Sequence, residues 1–582
     1  MSEGAPSAGV SLIDSRRITG PHLLLARPGA LIDCSLVGVA AGALSDAWSA
    51  ALDEVLPPLG WARAVRVTRA WPNGVSLAFE APIDALYAAT EVNEWALGKA
   101  CAALGHGEPP APLEEALARL RTAIAEEARP RLLELAEAAR QRGLSFLSDD
   151  RRVSVGLGEG SRSWPLRAMT APDRVRWSGL HDVPVVLITG TNGKSTTVRL
   201  LSAILAAAGR VAGVTSTDRV EVGSEVVALG DFSGPNGART VLRDRRVQVG
   251  VLEVARGGIL RRGLPITHAR AAVVTNVAND HLGEYGILDV DALADAKLVV
   301  TRAVTGDGRA VLNADDPRVL ARGLALGCPV LWFSLDASHE TLRAHMQAGG
   351  DAAWLENDML RLVRSGERYD VVRVDQVPVT FAGAARYNVA NALAAIGAAA
   401  ALDVPVAAMR DGLSGFESSP ASNPGRANRW LLDSVAAIVD FAHNPHGLEA
   451  LAQMAAAIPA MRRAIVIGQA GDRSDDDIRA YASAAWAMRP SRMFIKEMDV
   501  YLRGRERGMV PALIEAELRA RGASAEDFEH HATELSAVRS ALAWAREGDL
   551  LLLISHSERP AVIALLDSLA ASGWSPGEPL PA

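Results

Sequence analysis

Cysteine is scarce in this chain. Cys34, Cys101 and Cys328 are its whole complement in 582 residues, too few and too scattered for a disulfide framework or a zinc cluster. A reducing, cytoplasmic setting is the expectation. Long apolar runs are missing as well: no stretch approaches the ~18 uninterrupted large apolar residues of a membrane span. The opening MSEGAPSAGVSLIDSRR has no apolar core of signal-peptide length. A basic excess is also absent. The formal net charge is −8 and no long basic run offsets it, which argues against a nucleic-acid-binding body. No membrane and no nucleic acid are therefore expected as partners.

What is present is ordinary globular composition, 49% hydrophobic and 22% charged, in a chain too long for one core. Residues 1 to about 14 are small and polar and read as disordered. RRITGPHLLL and PGALIDCSLV read as two short strands around turns, and RAVRVTRAWPNGVSLAFEAP alternates on both sides of Pro72-Asn73-Gly74, a hairpin signal. From Pro112 to Arg142 strong helix formers dominate, with Pro130 dividing two helices. The glycines of LGEGSRSWPLRAMT lack a following helix and read as a turn between strands. These residues form a small α+β N-terminal domain, taken as 1–170.

The stretch around which the rest is organised runs from Val185 to Leu205. Val185, Val186, Leu187 and Ile188 suit a strand buried on both faces, and Val198, Leu201, Leu205 and Ala208 recur at helical spacing. Gly190, Thr191, Asn192 and Gly193 lie between them, so their backbone N–H groups and the helix N-terminus form a polyphosphate site. Lys194 can reach the outer phosphates, and Ser195 or Thr196 can ligate Mg²⁺. The general phosphate-loop pattern has a glycine where this chain has Ile188, so the loop is a shortened form. An ordinary strand-turn-helix with a surface lysine is the alternative.

Downstream, strands and helices alternate, with strands at VQVGVLEVA (247–255), AAVVTNVA (271–278), RAVLNA (309–314) and VLWFSL (330–335). The pattern predicts a doubly wound α/β P-loop domain over 171–422, a parallel sheet with helices on both faces. The Ala-rich run Asn391 to Leu402 reads as a buried helix. SSPASNPGRANRW resembles an interdomain linker, and a smaller Rossmann-like α/β domain closes the chain over 423–582, with strands at 436–442, 464–469, 492–497 and 549–555. Ligands in open α/β sheets sit beyond the strand ends. Glu253 and His281 stand there, as a carboxylate and an imidazole able to serve Mg²⁺. Each also has a plainer reading as a strand-end polar residue.

Several phrases then occur in a fixed order: TGTNGKST (189–196), LEVARGGILRRGL (252–264), TNVANDHLG (275–283), LNADDP (312–317), RYNVANALAA (386–395), PGR (424–426) and VDFAHNP (439–445). Together they resemble the Mur ligase superfamily of ATP-dependent amide ligases. GDFSGPNGAR (230–239), AGDRSDDDIR (470–479) and IKEMDVYLRGRERG (495–508) are similar to the Mur-ligase half of the cyanophycin synthetases. RRITGPHLLL and EAARQRGLSFL look like the N-terminal domain of that family. LGEGSRSWPLRAMT resembles the start of its ATP-grasp domain, yet the chain passes from Thr170 to the phosphate loop without room for that module.

The resemblance implies that Lys194 and Ser195 hold ATP phosphates and Mg²⁺, that Glu253 and His281 serve metal ions, and that Lys297 matches a lysine many Mur ligases carbamylate. Asn388 and Asn391 would face the adenine region, with Tyr387 beside them. Arg426 and Asp440 would reach the γ-phosphate and ribose, with His443 close by. The implied activity joins an amine or amino acid to the carboxylate of a small molecule or peptide through an acyl phosphate, with ATP and Mg²⁺ as cofactors. Two other readings stand beside it. A catalytically silent binding or regulatory protein would be expected to lose Lys194, Glu253, His281 or Lys297, and an NTPase switch would have no need of PGR and VDFAHNP. The N-terminal domain, without visible chemistry, is a candidate for homo-oligomer assembly or substrate capture.

Overall fold

The structure, a computed structural model, describes residues 9–581. The expected disorder of residues 1–8 lies outside the described residues. From residue 9 onward that expectation is corrected: Gly9–Ile18 is an edge strand paired antiparallel with Gly29–Val37. An edge strand needs a neighbour on one side only, so its polar composition did not betray it.

The N-terminal sheet has the spatial order Gly9–Ile18, Gly29–Val37, Gly74–Glu80, Arg66–Trp71. Alternate residues Ala30, Ile32, Cys34 and Leu36, with Val75, Leu77 and Phe79, face one side. The helices Ala41–Val55 and Leu86–Ala103 cover them, burying Trp48 completely. Trp48 Nε1 donates to Asn93 Oδ1 at 2.8 Å, and Asn93 Nδ2 donates to the Leu77 carbonyl at 3.2 Å, so the buried polar atoms are satisfied. Pro130 stands at the first position of the helix Pro130–Arg140, after the helix Leu113–Glu127 has ended, where a missing N–H costs nothing.

A three-stranded sheet, Phe146–Ser148, Arg152–Val155 and Arg162–Pro165, follows. The glycine-bearing turn between its last two strands takes left-handed backbone at Gly156 and Gly158, as read. Leu147 and Leu157 join the core of the central domain, so this sheet is shared across the N-terminal boundary.

The central sheet has eleven strands. Its middle is parallel, in the order Ala212–Thr215, Val249–Glu253, Val185–Thr189, Ala269–Val274, Val304–Asn313, Val330–Ser334, Ala352–Glu356. The expected parallel sheet carries antiparallel additions at both edges. Arg219–Val222 with Glu225–Leu229, and Met359–Arg364 with Glu367–Arg373, are antiparallel hairpins. Their strands pair through local turns, and a hairpin at an edge adds no crossover helix to read in the sequence.

Val185–Thr189 lies mid-sheet, with all five residues buried. The helix Lys194–Ala207 covers one face together with the Ala-rich helix Arg386–Ala401, whose residues from Ala392 to Ala401 are all buried. The segment read as a linker is packed rather than loose: Asn423 and Asn428 are buried, and Asn428 Nδ2 donates to the Asn423 carbonyl at 3.0 Å.

The C-terminal sheet runs Asn428–Leu432, Val435–Asp440, Leu550–Ile554, Arg463–Ile467, Arg492–Lys496, Phe528–His531, antiparallel at its first pair and parallel thereafter. Cores lie on both faces. No helix among the described residues is long and apolar enough to cross a membrane.

Candidate active site

A cleft of about 1210 Å³ opens between the central and C-terminal domains, past the carboxyl ends of the central parallel strands. The phosphate loop forms its floor. Gly190 has φ 149° and Gly193 φ 89°. A Cβ on Gly190 would lie 1.9 Å from Thr275 Oγ1, and one on Gly193 2.1 Å from Asn391 Oδ1, so both positions require glycine. The segment after strand Ala269–Val274 cradles the loop. Thr191 N donates to the Asn276 carbonyl at 2.8 Å and Asn192 N to Asn276 Oδ1 at 3.0 Å, while Thr275 Oγ1 donates to the Asn192 carbonyl at 2.6 Å.

Two lysines converge on this loop. Lys194 Nζ donates to the carbonyls of Gly190 (3.0 Å) and Thr191 (2.9 Å), and Lys297 Nζ, from the helix Val290–Leu298, donates to Gly190 O at 2.8 Å. Lys297 is buried, and burial together with the nearby Lys194 charge holds its amine well below the usual lysine range. Ser195 Oγ donates to Glu253 Oε2 at 2.9 Å. Glu253 is 2% exposed, and its other oxygen, Oε1, has no hydrogen-bond partner. Burial raises its carboxyl above the ordinary value. Thr196 sits behind Ser195 in the same helix turn and also lines the cleft.

His281 has φ 51°, and its Nε2 accepts from Arg473 Nη2 of the C-terminal domain at 3.1 Å. No group of three or more His, Cys, Asp and Glu side chains gathers for a metal among the described residues. His281 joins a cluster across the domain boundary. Arg473 Nη1 donates to Asp280 Oδ1 at 3.0 Å, with His443 Nε2 at 3.8 Å and His281 Nε2 at 3.9 Å from the same oxygen. Burial opposes ionisation of Asp280, but the basic groups His443, His281, Arg473 and Lys297 around it outweigh that and hold the carboxyl well below the ordinary value. Burial lowers His443 to about 4, so its ring is neutral at pH 7.

The remaining expected residues line the same cleft. Asn391 lies under Gly193 and donates to Asn388 Oδ1 at 3.1 Å, and Asn388 donates to the Val379 carbonyl at 2.8 Å. The two amides are thus linked to each other and to the Val379 backbone. The Tyr387 hydroxyl lies 3.5 Å from Met454 Sδ in the C-terminal domain. The Arg426 guanidinium stacks over the Phe441 ring at 4.6 Å. Asp440 accepts from Ala427 N and Ala442 N, each at 2.8 Å.

Sequence reasoning missed Asp280, Arg473 and Asn444. Asn192 and Asn444 exchange amide hydrogen bonds at 3.1 Å across the domains, and Arg559 Nη2 donates to Asp218 Oδ1 at 3.0 Å. Asp280 stood beside His281 in a quoted phrase and Arg473 in another, but nothing in either phrase signals that they meet.

The Mur ligase middle domain family matches residues 188–399, and the Mur ligase glutamate ligase domain family matches residues 425–556. The chain belongs to the Mur ligase superfamily. Among its Mur ligase relatives, cyanophycin synthetase of Trichormus variabilis is 39% identical over 380 residues, 65% of this chain and 42% of the relative. The chain thus spans about two fifths of the length of the cyanophycin synthetases it matches. UDP-N-acetylmuramyl-tripeptide synthetase of Deinococcus radiodurans is 29% identical over 425 residues, 69% of this chain and 80% of the relative. Among solved structures, E. coli FolC in complex with DHPP and ADP aligns with a TM-score of 0.48 and 21% identity, covering 67% of this chain and 89% of that one.

Proposed function

We propose that this chain is an ATP-dependent carboxylate–amine ligase of the Mur type, which joins an amino acid or other amine to the carboxylate of a small molecule or peptide. The observation that carries this reading is the pairing of Ser195 with Glu253 at the foot of the Lys194 loop, with one Glu253 oxygen buried and unpartnered. A buried carboxylate oxygen without a donor is costly, and a hard divalent cation beside a nucleotide phosphate would satisfy it. Ser195 and Glu253 therefore fit Mg²⁺, and His281 is the resemblance's further candidate. Bound there, Mg²⁺ would offset phosphate charge as the phosphoryl group transfers.

The chain's own groups supply the rest. The carboxylate substrate attacks the γ-phosphate of ATP, the bond to the β-phosphate oxygen breaks and ADP leaves, and Lys194 offsets the charge on the transferring group. The amine then displaces phosphate from the acyl phosphate. Arg256 is 8% exposed and lines the cleft with its Nη1 unpartnered, a donor suited to an anionic substrate group. Lys297, a buried amine whose protonation burial disfavours, is suited to carbamylation by CO₂, which would turn it into an anion beside the loop. The Asn192–Asn444 and Arg473–Asp280 contacts hold the C-terminal domain beside the loop, and its closure over bound substrates would exclude water that would hydrolyse the acyl phosphate.

The test is an ATP-dependent phosphate-release screen over carboxylate and amine pairs, aspartyl peptides with arginine included, with Lys194→Ala as control. Release that needs both substrates and falls by about 10³-fold in Lys194→Ala is expected. No release above that control for any pair ends the ligase reading.

A further inference from the structure

The N-terminal domain carries no reacting group, yet it is seated beside the cleft. The loop from Asp280 to Ile287 brings Asp280 and His281 into the cleft, and four of its residues have left-handed backbone: His281 (φ 51°), Gly283 (98°), Tyr285 (56°) and Gly286 (67°). At the two non-glycine positions, His281 and Tyr285, backbone of this kind persists where its surroundings over-determine it. The loop's own bonds are few: Gly283 N donates to the Ile287 carbonyl at 2.8 Å, and Ile287 N to the Glu284 carbonyl at 3.0 Å.

Arg473 holds Asp280 and His281, and Leu282, Tyr285 and Ile287 pack on the central core; the N-terminal sheet adds a further support. The Trp71 ring lies between two backbone segments that both lack a side chain. A Cβ on Gly74 of its own hairpin would meet Trp71 Nε1 at 2.2 Å, and a Cβ on Gly286 of the loop would meet Trp71 Cε3 at 2.6 Å. Beside it, the Arg16 guanidinium sits 4.8 Å from the centre of the Tyr285 ring. Arg16 is itself fixed. Its Nη1 donates to Asp33 Oδ2 at 2.6 Å, and Asp33 takes a second bond from Ser76 Oγ at 2.5 Å.

The same arginine reaches the second wall of the cleft. Arg16 Nε donates to the carbonyl of Leu260 at 2.9 Å, and Thr19 N donates to the carbonyl of Arg262 at 2.7 Å. Both carbonyls belong to the helix Arg256–Arg262, whose first residue, Arg256, lines the cleft. Close backbone approach seals the contact: a Cβ on Gly20 would lie 2.1 Å from the Leu264 carbonyl oxygen. Arg256 in turn pairs with Glu284 of the loop, so the two walls are tied to each other and to one domain.

We propose that the N-terminal domain is a positioning clamp for the cleft, in which Trp71 and Arg16 set the 280–287 loop and the Arg256–Arg262 helix so that His281 and Arg256 face the bound substrates. Neither Trp71 nor Arg16 touches substrate; each acts through the residues it holds. The catalytic consequence rests on the ligase reading above, whereas the mechanical one does not.

The experiment is hydrogen exchange on the full chain, comparing wild type with Trp71→Ala, Trp71→Phe, Gly286→Ala and the Trp71→Ala/Gly286→Ala pair. In Trp71→Ala, exchange across 280–287 is expected to rise about tenfold while the phosphate-loop helix 194–207 is unchanged. Trp71→Phe, which keeps a ring between the two glycines, restores most of the protection. Gly286→Ala loosens the loop by driving a methyl into the ring, and does so less in the Trp71→Ala background, where that clash is gone. Unchanged exchange at 280–287 in Trp71→Ala, or a Gly286→Ala effect equal in both backgrounds, overturns the clamp. With a productive substrate pair, Trp71→Ala is expected to lower kcat with little change in the KM for ATP, and Trp71→Phe to recover it; a rise in KM for ATP at constant kcat also overturns the proposal. If wild type releases no phosphate with any pair, the ligase reading falls while the exchange data still decide the clamp.

Discussion

Glu253 works against the fold that holds it. It is buried at a strand end with one oxygen unpartnered and its carboxyl raised by burial, so in the ligand-free chain its charge is a cost to folding. Replacing it with Gln removes the charge at nearly constant volume. The Glu253→Gln chain is expected to melt at or above the wild-type temperature without ligand, while losing the stabilisation that Mg²⁺ with an ATP analogue gives, roughly 2.7 kcal/mol at a hundredfold excess over Kd. Differential scanning fluorimetry with and without ligand reads both; a lower ligand-free melting temperature in the variant contradicts the argument. Glu253 was legible because it ends an apolar run, where open α/β sheets place their ligand groups. The Asp280–Arg473 pair was not, since its partners are 193 residues apart and no local pattern records which surfaces a folded chain brings together.

At the scale of elements, the strand ends are organised by turns that side chains hold. Glu534, at the start of the helix Glu534–Trp544, accepts from the backbone N–H groups of His556 (2.8 Å), Ser557 (3.1 Å) and Glu558 (3.0 Å), and from Lys496 Nζ at 2.5 Å. It thereby shapes the loop that carries His556 and Arg559 to the cleft. Burial opposes its ionisation, but Lys496 and the converging N–H groups outweigh that and pull its carboxyl well below the ordinary value. A depressed carboxyl contributes stability above its unfolded value and loses it as pH falls toward the folded one. Urea unfolding should therefore show stability declining below about pH 4.5. Glu534→Gln should lack this share of the decline and cost about 3–5 kcal/mol at pH 7, because Lys496 is left buried and unpaired. An unaltered acid slope in the variant is the contrary result. Most elements of this kind were readable from periodicity: the strands at Val249–Glu253 and Leu550–Ile554 fall within the predicted runs, and Val185–Thr189 exceeds its run by one residue. The edge hairpins of the central sheet were not, because exposed edge strands such as Glu225–Leu229 bury too little to leave a pattern.

At the scale of the molecule, the three bodies are tied through the cleft's walls: the C-terminal domain through Asn444, Arg473 and Arg559, the N-terminal domain through Arg16 and Trp71. The ordered motifs made the two ligase domains legible across the chain. The seating of the first domain was hidden, for it depends on glycines at 20, 74 and 286 whose meaning appears only when another backbone or ring lies against them. One strand of that first domain also serves as a reporter. Cys34 sits wholly buried in the middle of the sheet, and burial pushes its thiol up to about 12, while Cys101 and Cys328 are partly exposed. Under native conditions a thiol reagent should label two cysteines promptly, and the third only as fast as the first domain's sheet comes apart. The chain thus carries its own stopwatch for that event, read by mass without adding a probe, and prompt labelling of all three would show that the sheet opens freely.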